Sequence, residues 1–344
     1  LLNRRICNRK STILSKNSNK SATIIMQTDE LTQWLLDAKT PSIRYLTLSR
    51  LLGRHEADPE VRNAWREMKT GGPIPAILAG QTRIGAWYGE QSYYTPKYTS
   101  THWSLLLLTE LAADCQTSGM RRGAIYMLGE TYDELQKRLE RKEHGLACFW
   151  GNLVRYALHC NLDDDPRLRT ILEALFHDAG AGEWRCKHND ERPCAWGAAR
   201  ALWGLAALPE HLRAWPEVQA AIESGLTFLL EEHRLEKANY PVPKGGSIHS
   251  LWFRLNFPLF YQADILFVLR MLADLGKLDH PGAGAALEWL RDKRSSTGRC
   301  RGASPFRSRT YKELGDRQET DRWATLHTAL VLNAAEQPDK LESY

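Results

Sequence analysis

The chain has 344 residues and a mass of 39.2 kDa, with 43% hydrophobic and 25% charged residues. That balance excludes a disordered, collagenous or disulfide-scaffold protein, and no apolar run approaches the roughly 18 residues of a membrane-spanning helix. The formal charge is +5, but residues 1–25 hold six basic residues and no acid, so residues 26–344 carry −1 and no nucleic-acid-binding body is expected.

Residues 1–25 form a Ser-, Asn- and Lys-rich tail without periodicity, and the style changes at Met26. The tail reads either as an organellar transit peptide or as sequence upstream of a natural start at Met26. It is set aside, and residues 26–344 are taken as one domain. Seven cysteines, an odd number in a long chain, do not suggest a disulfide framework, so a reducing cytoplasm is the expected compartment.

From there the chain reads as helix after helix. Apolar stripes at helical spacing run through 44–52, 101–111, 152–160, 169–176, 218–230 and 323–334. In 194–208, Trp196, Ala199, Trp203 and Ala206 share a face; in 260–275, Phe260, Phe267, Met271 and Leu275 share another. One phrase recurs: an apolar helix, a turn with Asp and Pro, then a second helix, as in 48–65, 153–175 and 268–290. Pro59, Pro166, Pro216 and Pro281 each fall where a helix would begin, a position that tolerates the missing N–H. Glycine turns follow at 85–87, 182–184 and 298–300, spaced 97 and 116 residues apart. Each gap is about two units of roughly 50 residues, so five or six stacked helix pairs would fill the body.

Gln81-x3-Gly85-x-Trp87, within AILAGQTRIGAW, resembles the QW motif of the squalene cyclase and protein prenyltransferase β-subunit superfamily. GEWRC…CAWGAARALWGLAAL (182–208) and DRWATLHTALVL (321–332) resemble later repeats, although the turns at 182–184 and 298–300 keep the glycine and lack the Gln. The resemblance covers roughly residues 40–335. It implies an all-α fold, an α/α toroid of repeated antiparallel helix pairs around a central cavity. It also implies an isoprenoid or other hydrophobic small molecule as ligand, with terpenoid cyclase-like or prenyltransferase-like activity.

The chemistry-bearing residues fit that picture in part. Triterpene cyclases use an acidic DxDD motif; Asn161-Leu162-Asp163-Asp164-Asp165 departs from it, and these acids precede Pro166 where they would cap a helix. Asp264, in a strongly apolar segment, is the candidate catalytic acid, because a desolvated carboxylate has a raised pKa unless it is paired. The structural alternative is an ion pair with Arg155 or Arg200. Trp103, Trp196 and Trp203, with Arg155 and Arg200, are candidates for lining the cavity, where aromatic faces would stabilise cations. Trp87 is expected to brace its turn.

Cys148, Cys186 and Cys194 stand at loop–helix junctions with His144 and His188 nearby, a pattern that could bind zinc. Cys194 matches the zinc cysteine of the prenyltransferases, but Arg192 occupies the place of their zinc Asp. Buried, reduced thiols are the plain alternative. His102 is expected at a helix opening as a surface or capping residue, with a base role as the alternative. Arg299, Arg301, Arg307, Arg309 and Lys312 form a basic loop that is either solvated or placed to meet an anion. Two further readings stay open: a non-catalytic toroid whose inner polar groups are all mutually paired, and a zinc-dependent transferase or lyase.

Overall fold

The structure, a computed structural model, describes residues 30–88, 92–116 and 118–337. The expectations for the tail at 1–25 lie outside the described residues. The chain is mostly helical, as the periodicity predicts, with only four strands of two residues each among the described residues.

Proline starts the helices where expected. α1 (30–36) leads to α2 (Pro41–Leu46), α3 (Pro59–Thr70) and α4 (Pro73–Ala79). α5 (Thr101–Glu110), α6 (Ser118–Glu140), α7 (Ala147–His159) and α8 (Pro166–Ala179) follow, then α9 (Ala195–Ala206), α10 (Glu210–Arg213) and α11 (Pro216–Leu226). α12 (Ile265–Asp274), α13 (Gly284–Arg291) and α14 (Arg317–Glu336) complete the chain. Pro281 opens a 3-10 turn that runs into α13. Of the acidic run, Asp165 does the capping: its carboxylate accepts from the Arg167 N–H at 3.0 Å and from the Arg167 guanidinium at 2.9 and 2.6 Å.

The stripe at 260–275 is shorter as a helix than its apolar character predicts. Asp264 has an extended backbone and is the N-cap of α12, so Phe260 lies outside the helix. The apolar run passes through the cap because the segment before α12 is itself buried core.

α2 pairs with α3, α5 with α6, α7 with α8, α9 with α11, and α12 with α13. The first members after α2 pack in sequence, α5 on α7, α7 on α9, α9 on α12 and α12 on α14; α6, α8 and α11 pack in sequence behind them. The closest approach is α7 on α9. A Cβ on Gly151 would lie 2.3 Å from the Arg200 carbonyl oxygen, and one on Gly204 would lie 2.4 Å from that of Gly151, so neither place admits a side chain. One continuous apolar core runs from Leu35 to Leu332. Among the described residues no helix is long and apolar enough to cross a membrane.

Two of the three glycine turns are built alike. Gln81 bridges to Trp87, and Arg294 bridges to Cys300. The Trp87 N–H donates to Thr101 Oγ1 at 2.9 Å, and the Cys300 N–H donates to Thr325 Oγ1 at the same distance. Gln81 ties its turn to the carbonyls of Gly85 (2.9 Å) and Gly119 (2.7 Å), and the Trp87 indole donates to Ile77. Trp87 therefore braces the turn, as expected. The third turn departs: after Trp184 the chain makes a hairpin, β1 (Arg185–Cys186) antiparallel to β2 (Arg192–Pro193).

Candidate functional site

Three helices begin at one place. His102 and Trp103 lie in the first turn of α5, and Cys148, Phe149 and Trp150 in that of α7. Cys194 is the N-cap of α9, followed by Ala195 and Trp196. All eight residues line a single cavity of about 970 Å³, closed by one face of α6, the β1–β2 hairpin, the segment 240–249 and Tyr261.

Nine Phe, Trp and Tyr residues line this space. Their rings interlock: Tyr94 on Trp103 at 4.7 Å, His102 stacked on Phe149 at 4.5 Å, and Trp196 edge-on to Tyr261 at 5.9 Å between centroids. The Lys97 ammonium lies 5.1 Å from the Tyr261 ring centre, within cation–π reach. Glu130, Glu134 and Arg138 of α6 supply charge along one wall. The cavity is thus broad, aromatic and polar at its edges, the usual make-up of a small-molecule site.

Of the expected lining residues, Trp103 and Trp196 are at the cavity. Trp203, Arg155 and Arg200 are not. Trp203 packs edge-on against Phe267 at 5.3 Å, and Arg155 lies over the Trp203 ring and pairs with Asp274 at 2.9 Å. Arg200 is fully buried, donates to the Gln262 carbonyl at 2.8 and 2.6 Å, and lies 3.8 Å from the Phe267 ring centre. Burial pulls its guanidinium down to about 9.

Asp264 is also away from the cavity. One carboxylate oxygen accepts from the Phe267 N–H at 2.7 Å; the other accepts from the Asn256 N–H at 2.9 Å and its side-chain amide at 2.7 Å. Burial lifts its pKa to about 6, against the pull of those three donors. Neither expected arginine pairs with it. The catalytic-acid expectation for Asp264 therefore meets a carboxylate with one oxygen engaged in capping α12 and the other held by Asn256.

His102 is not a surface residue. It is fully buried, its Nδ1 lies 3.2 Å from the Tyr156 hydroxyl, and burial pushes its pKa down to about 3, so the ring is neutral. Its Nε2 and the Trp196 indole N–H are both buried without a protein partner. The basic loop at 299–312 does not line the cavity: Arg307 donates to the carbonyls of Gly315 and Asp316, and Arg309 lies over Tyr98.

The three cysteines do converge on the cavity wall. Burial lifts Cys148 to about 12. Cys186 is held below the ordinary thiol value, chiefly by a hydrogen bond from the Cys194 thiol and then by the backbone N–H groups of His188 and Leu146. Cys194 is correspondingly held well above it. Among the described residues, no group of three or more His, Cys, Asp or Glu is arranged to hold a metal ion. The thiols thus gather as the zinc reading expects, but without a ligand set.

One signal in the sequence goes beyond the expected lining residues. Cys148-Phe149-Trp150 and Cys194-Ala195-Trp196 repeat a Cys-x-Trp pattern at two helix starts, which places Phe149 and Trp150 beside the cavity. Comparison with protein-family models, with curated proteins and with solved structures finds no match to this chain.

Proposed function

We propose that the protein binds a hydrophobic small molecule carrying a polar group, of isoprenoid size, in the aromatic cavity at the starts of α5, α7 and α9. The observation that carries this reading is the ring of nine aromatic residues around one space of about 970 Å³. The unpartnered Trp196 N–H and His102 Nε2 supply a donor and an acceptor for the ligand's polar group. A scaffold whose inner polar groups are all mutually paired fits less well, since Asn152 Oδ1, Arg200 Nη1 and Gln262 Oε1 are also buried without protein partners.

The toroid remains the architecture that accounts best for these contacts. In it, α5, α7, α9, α12 and α14 are the inner row, and α14 closes the ring on the first helices. Closure is supported by Glu319 of α14, whose carboxylate accepts from the N–H groups of Lys39 (3.1 Å) and Thr40 (2.8 Å), and by Arg322, which donates to Trp34 (3.0 Å). Any cyclase-like or prenyltransferase-like reaction would take place in this cavity. A reducing cytoplasm suits the six described cysteines, all of them free thiols.

Intrinsic tryptophan fluorescence, titrated with farnesol and with glucose as a polar control, tests the reading. Saturable quenching by farnesol alone is expected. Trp196→Ala should weaken it about ten-fold, the loss of roughly 1.4 kcal/mol of ring contact. Equal responses to both compounds, or an unchanged Trp196→Ala titration, would defeat the assignment.

A further inference from the structure

α6 brings four of its residues to the cavity, Tyr126, Glu130, Glu134 and Arg138. They recur at every fourth position, so they form one stripe along the helix with about 6 Å of rise between neighbours. Glu130 and Glu134 are therefore adjacent like charges on one face, an arrangement that destabilises the helix carrying them. Both are exposed, and among the described residues neither forms an ion pair or a hydrogen bond. Two cations that line the same space are held otherwise. Arg138 pairs with Glu143 at 3.2 Å and donates to the His144 carbonyl at 3.1 Å, while the Lys97 ammonium lies 5.1 Å from the Tyr261 ring centre and 5.7 Å from that of Tyr94. Lys187 stands exposed on the hairpin. Aromatic rings accompany the two carboxylates: Tyr126 one turn back on α6, and Tyr93, whose ring centre is 6.0 Å from that of Phe149. Burial, and then the negative charge of Glu134 and Glu130, push the Tyr93 phenol above its ordinary value.

A separate observation marks the same cavity for a hydrogen-bond donor. His102 is fully buried in its wall, and the open Nε2 of the ring has no protein partner. An imidazole nitrogen and two carboxylates all accept hydrogen bonds, and the carboxylates also attract positive charge. A protonated amine matches that set, since it is a donor with no acceptor of its own. We propose that the bound molecule carries its polar group as an ammonium, seated at Glu130 and Glu134 with its apolar chain among the rings, so that the ligand class is a long-chain or isoprenoid amine. This rests on the cavity's being a small-molecule site and narrows its ligand. The ring faces attract the ammonium and the carbon beside it, and the bound charge relieves the repulsion between the two carboxylates. An alcohol of the same chain gains neither term.

The test titrates the full chain, by tryptophan fluorescence at neutral pH and low salt, with three probes that share one chain: farnesylamine, farnesol and farnesoic acid. The amine should bind about ten-fold more tightly than the alcohol, and the acid more weakly than either. Replacing both carboxylates, Glu130→Gln with Glu134→Gln, should bring the amine-to-alcohol ratio down to about one. Glu140→Gln, on α6 but outside the cavity, should leave that ratio as it is. Circular dichroism checks that each variant folds. A measurement on the wild-type chain needs no variant: raising the salt to about 0.5 M should shrink the ratio, because these carboxylates are exposed and screened. Equal affinities for amine and alcohol, a preference that survives in the double variant, or tighter binding of farnesoic acid would overturn the ammonium assignment while leaving the cavity as a binding site. Failure of all three probes to bind would defeat the small-molecule site and this proposal with it.

Discussion

Two neighbouring helices begin in the same way and are used differently. α9 starts at Cys194 and α12 at Asp264; both residues have an extended backbone, and both accept the N–H of the residue three further on. At α12 the remaining carboxylate oxygen is taken by two donors from Asn256, and the group lies away from the cavity. At α9 the cap is a thiol, a weaker acceptor, whose proton goes to a second cysteine at the cavity wall. Asp264 is the more buried and its pKa is well displaced, yet nothing can reach it. Burial marks a group as costly; open valences beside an accessible space mark it as usable.

The largest expected effect sets these caps against each other. Asp264→Ala leaves the buried backbone N–H groups of Phe267 and Asn256 without an acceptor, while the Asn256 amide keeps the Leu251 and Arg254 carbonyls, and a loss of about 3 kcal/mol in unfolding free energy is expected. Cys194→Ala removes one weak acceptor and should cost about 1 kcal/mol or less. Urea denaturation of both variants measures the difference, and equal losses would abolish the distinction between the two helix starts.

A third buried carboxyl sharpens the same contrast. Asp178 accepts from the Gly145 N–H at 2.8 Å through one oxygen, while its other oxygen is buried without a partner. Burial lifts its pKa to about 7 from 3.8. The folded state therefore holds this proton more tightly than the unfolded state does. Its contribution to stability is greatest below about pH 4 and is lost as pH rises toward 7, at up to about 1.4 kcal/mol per unit. Asp178→Asn cannot titrate. The unfolding free energy of the variant relative to wild type should rise by roughly 3 kcal/mol between about pH 4.5 and about pH 7.5. A pH-independent difference would mean that Asp178 keeps an ordinary carboxylate pKa in the fold.

Much of this architecture is legible in the amino-acid sequence. The proline starts, the Asp165 cap, the bracing Trp87 and the placement of Trp103 and Trp196 follow from local rules of helix ends and spacing. Trp203 departs from its expected place although it shares a face with Trp196. Seven residues at about 1.5 Å each put it about 10 Å further along the helix axis, beneath the cavity and in the core. Arg155 and Arg200 are likewise on helices that reach the cavity, but deeper than its floor. The segment 240–249 carries no signal, because a Pro- and Gly-containing loop acquires its wall position only from long-range packing. Asp264 reads as available because a sequence shows an acid in an apolar stretch and hides Asn256, whose two donors occupy it.

The smallest effect bears on the two turns built alike. Thr101 and Thr325 each accept the N–H of the residue two beyond the turn glycine, Trp87 and Cys300, at 2.9 Å. Both acceptors are buried, and valine matches threonine closely in shape. Thr101→Val and Thr325→Val should therefore each cost about 1 kcal/mol, agreeing within a few tenths, by orphaning a single backbone donor. In the third turn the corresponding N–H, that of Trp184, donates to the Asp178 carbonyl at 2.8 Å, and the Cys194 N–H closes the hairpin on the Trp184 carbonyl at 2.9 Å. Equal losses in the two valine variants, measured by urea denaturation, would establish the threonine closure as the unit's ordinary build and the cysteine hairpin as the departure. Markedly unequal losses would make the shared geometry of the first and last turns a coincidence of shape without shared energetics.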